Sequence, residues 1–212
     1  MKLKGIYLVI DPSKPTEALF KKTKLAVQAG VEIIQIWNHW DINSTLLQKK
    51  EFIANLKVVL EPFHVRLFIN DDWQLALQED LDGVHFDELP VDFDLIRTEL
   101  EDKIIGITVA NDLMKIREAH DLGLSYMSFC AVFPSKSVNT CEIVDFKNIE
   151  EARKITDMSI FVSGGVTPEN ISRLKNLQVD GVAVISGVLE ADDPYSRVKE
   201  YIESLNKYKI LT

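Results

Sequence analysis

The chain predicts a (β/α)8 barrel, the TIM-barrel fold, and three observations carry that expectation. Strand-like and helix-like segments alternate from end to end. About eight of each share 212 residues, near the lower size of a compact barrel. The last two strand-like runs each close on a glycine-bearing turn that leads into a helical stretch, the arrangement of the phosphate turns after strands 7 and 8 of such barrels. Strict alternation implies a parallel sheet joined by right-handed crossovers. A doubly wound open sheet is the structural alternative, and eight units with two terminal turns favour the closed barrel. With no convincing linker and no low-complexity segment, residues 1–212 are expected to form one domain.

The strands are expected at residues 5–10, 31–37, 65–69, 83–86, 104–109, 126–130, 158–162 and 179–185. Most are continuous apolar runs rather than period-two alternations, because both faces of a parallel sheet are covered. Helical spacing of apolar residues places helices at 16–29 (Leu19, Leu25, Ala26) and 44–60 (Leu46, Leu47, Phe52, Ile53, Leu56). Further amphipathic stretches fall at 113–122, 148–156, 169–177 and 194–205. The longest irregular stretch, 133–145, follows the sixth strand, on the face where barrel loops carry function.

Composition narrows the function. A formal net charge of −9 argues against a general nucleic-acid binder, which needs a basic face for phosphates. No apolar run approaches the ~20 residues of a transmembrane span, and residues 1–5 pass straight into a strand without a signal-peptide stretch. The two cysteines, Cys130 and Cys141, read as reduced thiols, so the protein is expected in the cytoplasm. His64 and His120 read as ordinary surface histidines, and with Cys130 they give no metal-ligand spacing.

The chemistry concentrates in the two terminal turns. Phe161-Val162-Ser163-Gly164-Gly165-Val166-Thr167-Pro168-Glu169-Asn170 ends a strand on two glycines, and Thr167-Pro168 reads as a helix start. Glycines allow close backbone approach, and a helix start offers N–H groups and partial positive charge to a phosphate. Asp180 to Gly187 repeats the pattern, with Ile185 and Ser186 at the turn. A small phosphate ester is the expected ligand.

These residues, together with Tyr7-Leu8-Val9-Ile10-Asp11, residues 31–36, Phe68-Ile69-Asn70-Asp71, Asp82-Gly83-Val84-His85, Ile105-Gly106-Ile107-Thr108-Val109 and Val132-Phe133-Pro134-Ser135, resemble the thiamine phosphate synthase family, including its thiazole tautomerase relatives. The resemblance implies a transferase of thiamine biosynthesis that joins a hydroxymethylpyrimidine diphosphate to a thiazole phosphate. It uses Mg²⁺, releases pyrophosphate, and passes through a pyrimidine cation captured by the thiazole nitrogen. By the same resemblance Asp71 and Asp87, with Glu88 behind it, would hold the metal, and Asn70 pairs with Asp71. Gln35 would face the pyrimidine, and Thr108 stands in for a serine at the diphosphate. Ser135, Ser137, Gly164, Gly165, Ile185 and Ser186 would bind the thiazole phosphate. The partner implied is thus a small phosphorylated heterocycle, with no nucleic acid and no membrane; a homo-oligomer stays open.

The family's Gln-x-Arg-x-Lys reads Gln35-Ile36-Trp37-Asn38-His39 here, and a further lysine position reads Val138, with Lys136 nearby. His39 is the expected replacement acid, base or cation, and Trp37 and Trp40 are expected either to stack on a flat heterocycle or to plug the pocket. The tautomerase histidine falls on Ala131. Two alternatives accompany the synthase reading: a tautomerase-like isomerase, and a non-catalytic binder of thiazole phosphate or thiamine phosphate.

Overall fold

Eight parallel strands pair in chain order and close on themselves: β1 (Gly5–Ile10), β2 (Val31–Ile36), β3 (Arg66–Asn70), β4 (Gly83–Phe86), β5 (Ile104–Val109), β6 (Tyr126–Phe129), β7 (Ser159–Ser163) and β8 (Gly181–Val184). This is a computed structural model, and it describes residues 2–134 and 142–210. Among them are the helices α1 (Thr16–Ala29), α2 (Leu46–Leu60), α3 (Trp73–Gln78), α4 (Phe93–Glu99), α5 (Leu113–Asp121), α6 (Phe146–Ile155), α7 (Ser186–Leu189) and α8 (Pro194–Lys207).

Local signals explain the helix limits. α1 ends on Gly30, whose φ of 118° only glycine holds without strain. α2 opens on a capping box: Thr45 accepts from the Gln48 amide, and the Gln48 side chain accepts from the Thr45 amide. α8 opens on Asp193 followed by Pro194, whose fixed φ suits the first helical turn.

The apolar runs bury two separate layers. Leu3, Tyr7, Ile33, Phe68, Tyr126, Phe161 and Ala183 fill the barrel interior. The alternate strand residues, such as Ile34, Val84, Ile107 and Val182, pack outward under Leu56, Ile116 and Ala152 of the helices. Gly106 is a packing requirement, because a Cβ there would overlap the Tyr126 ring.

At the N-terminal face of the barrel, Asp180 is fully buried and ties β7 to β8. Its carboxylate accepts from the Ile160 amide at 2.8 Å and pairs with Arg153 at 2.7 Å and Lys2 at 2.9 Å. This anchor holds β8 in the register that delivers its C-terminal turn to the mouth.

One expected element differs. The helix expected at 169–177 is only a short 3-10 turn, Ile171–Leu174. The Asn170 side chain captures backbone that a helix would use, accepting from the Thr167 amide at 2.9 Å and donating to Gly165 O at 2.8 Å. Asn176 and Gln178, at φ 77° and 53°, then turn the chain out of the helical region. The segment was too short to carry both a helix and these turns.

Candidate active site

The C-terminal ends of the strands surround a cavity of about 510 Å³. Its wall is polar on the side of β2 to β5, with Gln35, Asn70, His85, Asp87, Glu88 and Thr108. On the side of β7 and β8 it is formed by residues 163–167 and 183–187. Because the barrel closes in chain order, β3 and β4 stand opposite β7 and β8 across this cavity.

Asn70 and Asp71 are positioned by backbone geometry that their side chains help to fix. Asn70 is buried, donates to His85 O at 3.1 Å and accepts from the Asn38 amide at 3.3 Å, so it ties together the ends of β2, β3 and β4. Asp71 has a φ of 59°, a conformation that costs a non-glycine residue energy and that clusters at functional sites. Its Oδ1 accepts from the Asp87 amide at 3.0 Å. Burial pushes the Asp71 carboxyl above its ordinary range; the charge of Asp87 adds to this, while the Asp87 amide and the Asn38 side chain oppose it. Two hard carboxylates side by side, one penalised by burial and by the other, suit a small divalent cation whose remaining ligands come from phosphate and water. Among the described residues no group of three or more His, Cys, Asp or Glu could hold a metal alone, so ligand oxygens would have to complete the shell.

Deeper in the barrel the polar side chains join into one chain. Tyr7 Oη donates to Gln35 Oε1. Tyr7 Oη and Tyr126 Oη lie 2.9 Å apart, Tyr126 Oη and His85 Nδ1 2.9 Å, and His85 Nε2 and Thr108 Oγ1 2.8 Å. Thr108 Oγ1 reaches Asp87 Oδ1 at 3.5 Å. Burial, with a smaller contribution from the charge of Lys115, pushes His85 down to about 3, so it is neutral. Burial likewise raises the Tyr7 and Tyr126 hydroxyls, which stay protonated. Sequence reasoning did not single out Tyr7, His85 or Tyr126. In continuous apolar runs a Tyr looks like one more ring, and only the inward register of Tyr7, Gln35, His85 and Tyr126 could have grouped them.

The two glycine turns fold against the loop after β6. Gly164 and Gly165 have φ of 81° and 66°, and a Cβ on either would strike Ala131 or the carbonyls of Phe133 and Pro134. Phe133 N donates to Gly164 O at 3.0 Å, and Val132 N to Ser163 O at 2.9 Å. α8 braces both turns: Tyr201 Oη donates to Val166 O at 2.7 Å, and Arg197 Nε donates to Gly187 O at 3.4 Å. Arg197 also holds Glu169, pulling that carboxyl down to about 2. Gly164, Gly165, Ile185 and Ser186 all line the cavity, while Ser135 and Ser137, like Lys136 and Val138, lie outside the described residues.

The residues after β2 divide. Trp37 lines the cavity and meets His39 at 4.8 Å between ring centroids, the rings tilted by 39°. His39 is on the rim rather than in the lining, with Nδ1 3.1 Å from Asp11. Burial pushes Asp11 up, but hydrogen bonds from Ser13 and His39 outweigh it and hold the carboxyl below its usual value. Trp40 packs edge-on to Phe52 of α2, away from the cavity, and so neither stacks in it nor plugs it. Among the described residues the lining contains no Lys or Arg. Lys115 is nearby but engaged, with Glu88 at 2.8 Å and Asp87 O at 3.0 Å.

Fold and site define a TIM barrel whose polar mouth pairs two carboxylates on one side with two backbone turns on the other. The chain belongs to the thiamine monophosphate synthase family, whose model matches residues 6–188. It is 30% identical over 207 residues to a thiamine-phosphate synthase of Clostridium perfringens, covering 96% of this chain and 97% of the relative. It is 28% identical over 191 residues to one of Methanobrevibacter smithii, covering 90% of each. The fold matches a thiamine phosphate pyrophosphorylase from Pyrococcus furiosus with a TM-score of 0.81 at 22% identity, covering 97% of this chain and 96% of that one.

Proposed function

We propose that the protein is a thiamine-phosphate synthase, joining hydroxymethylpyrimidine diphosphate to a thiazole phosphate and releasing pyrophosphate. The observation that carries this is the opposition, across one cavity, of a carboxylate end suited to a divalent cation and a pair of backbone turns suited to a phosphate. Asp87, just beyond β4, lines the cavity, and Asp71, just beyond β3 and not itself in the lining, accepts from its amide; the Gly164-Gly165 and Ile185-Ser186 turns line the cavity beyond β7 and β8. The space between them holds two small rings, each tethered at its own phosphate.

In this reading Asp71 and Asp87 hold Mg²⁺, which supplies charge neutralisation to the departing diphosphate. Thr108 contributes a hydroxyl at the same end, and Gln35 holds the pyrimidine edge. The backbone of the two glycine turns fixes the thiazole phosphate so that its ring nitrogen faces the pyrimidine methylene carbon. The C–O bond to diphosphate breaks, the C–N bond to thiazole forms, and the electron pair leaves on pyrophosphate.

A second reading has its own observation, the absence of Lys and Arg from the described lining. Each charge-assisted hydrogen bond is worth roughly 1.5–3 kcal/mol, so two missing cations would slow the step by about two to four powers of ten. A binder of thiazole phosphate, or a tautomerase-like isomerase, needs the β7–β8 turns and not those cations. The test mixes purified protein, Mg²⁺, pyrimidine diphosphate and thiazole phosphate, and follows thiamine phosphate by fluorescence after oxidation. Magnesium-dependent turnover supports the synthase. A melting temperature raised by thiazole phosphate without turnover supports the second reading.

A further inference from the structure

The hydrogen-bond chain from Gln35 to Thr108 has a direction, and that direction has a consequence at each end. Tyr7 donates to Gln35 Oε1. Its single proton is then spent, so at the 2.9 Å contact Tyr126 O–H donates to Tyr7 Oη. Tyr126 in turn must accept from His85 Nδ1–H at 2.9 Å, which leaves His85 Nε2 to accept from Thr108 O–H at 2.8 Å. The competing arrangement, Thr108 O–H donating to Asp87 Oδ1, spans 3.5 Å, so the shorter contact to His85 takes the threonine proton here. In this state Gln35 turns its NH2 to the cavity and Thr108 has no proton to give an incoming anion.

The rings cannot swing to escape this. Tyr126 stacks between Phe68 at 5.8 Å and His85 at 5.5 Å, with Gly106 behind it, and Tyr7 meets Phe161 edge-on at 5.4 Å. Only hydroxyl rotors, the imidazole tautomer and the Gln35 amide are free to change. Suppose a phosphate oxygen takes the Thr108 proton as a hydrogen bond. His85 then keeps partners only as the Nε2–H tautomer, donating to Thr108 Oγ1. Tyr126 donates to His85 Nδ1, Tyr7 donates to Tyr126, and the Gln35 amide flips so that its NH2 donates to Tyr7. Every group carries the same number of protons as before. One proton leaves Nδ1 and one arrives at Nε2, exchanged through the solvent of the cavity, and no charge changes.

We propose that Tyr7, Tyr126 and His85 are positioning residues that form a polarity relay. The relay makes the Gln35 amide offer a donor to the heterocycle when Thr108 holds no anion, and an acceptor when it does. The ligand selected is a flat nitrogen heterocycle carrying both an N–H donor on its edge and a diphosphate. The same ring without diphosphate meets the wrong face of the amide. This rests on the synthase reading for the site of the anion, and its test is separable from turnover.

Of the four histidines, His39, His64 and His120 are exposed, so replacing all three by Gln leaves His85 as the sole imidazole. Long-range ¹H–¹⁵N spectra of this triple variant read its tautomer directly. The expected result is Nδ1–H in the free protein and Nε2–H on adding inorganic pyrophosphate with Mg²⁺. Nε2–H in the free protein, or an unchanged tautomer with pyrophosphate bound, overturns the relay and leaves the synthase reading standing. Pyrophosphate that does not bind at all removes the anion site and overturns both. As a second measurement, pyrophosphate should change the affinity for the pyrimidine alcohol roughly 5- to 150-fold, the usual span of coupled sites. Tyr126→Phe should abolish that coupling with pyrophosphate binding intact; coupling that survives in Tyr126→Phe also overturns the relay.

Discussion

Replacing Asp71 by Asn should separate stability from function at the mouth of the barrel. Asn is among the residues that best tolerate the left-handed φ of 59° found there. Its Oδ1 can still accept from the Asp87 amide at 3.0 Å, so the turn keeps its fastening. What disappears is a half-buried negative charge beside Asp87. Because the Asp71 carboxyl lies above its unfolded value, its ionisation opposes folding, and the stability it contributes is lost as pH rises through the raised value. Asp71→Asn should therefore match the unmodified protein below about pH 3.9, where both are neutral, and be equally or more stable at pH 7. The side chain is partly solvated, so solvent screening keeps the gain below about 1 kcal/mol. If Asp71 and Asp87 hold Mg²⁺ as proposed, turnover should fall by at least about a hundredfold, since weaker metal binding forfeits charge stabilisation worth several kcal/mol. Thermal melts with and without Mg²⁺, alongside the thiamine phosphate assay, measure both. A variant destabilised by more than about 1 kcal/mol, or one with full magnesium-dependent turnover, would refute the reasoning.

Further perturbations address the other parts of the site and its support. Trp37→Arg with His39→Lys should raise turnover by about two to four powers of ten if the missing cations limit it; steady-state kinetics decides. Asp180→Ala leaves Arg153 and the Ile160 amide without their buried acceptor, and urea melts should show a loss of about 3–5 kcal/mol. Gly165→Ala meets both a φ of 66° and the carbonyls of Phe133 and Pro134, so calorimetric titration with thiazole phosphate should show clear weakening. Glu169→Gln should cost less than about 1 kcal/mol at pH 7 because the ion pair is largely exposed. That cost should shrink as pH falls from about 4.5, where the unfolded chain takes up the proton, toward about 2, where the Arg197-held carboxylate of the folded protein does so too.

The barrel was legible because its strands are buried on both faces and its helices on one. The largely apolar runs at β1, β4 and β5 gave their limits to the residue. The same property hid the interior. An unbroken run carries no mark of which residues face inward, so Tyr7 and Tyr126 looked like core, and the hydrogen-bond chain they form was invisible. The segment after β7 was misread because Thr167-Pro168 is a genuine helix-start signal, here overruled by Asn170 taking the backbone groups of the turn. Asn70, Asp87, Thr108 and the glycine turns were all found at the mouth, since short motifs at strand ends report position well. His39 was harder to place, because a loop side chain two residues past the cavity wall can pair outward, as it does with Asp11.

The closed order of the strands also divides the chain into two workshops that share a room. Residues of the first half build the carboxylate end, and residues of the second half build the turns and their α8 brace. Few side chains of the described residues cross that division, and they include Thr108 and the buried chain behind it, Lys115 at Asp87 and Glu88, and Lys22 at the carbonyls of Leu189 and Ala191. Sequence change at the carboxylate end can therefore leave the opposite end with its shape. A fold wired in this way can change which bond it breaks without giving up the molecule it holds.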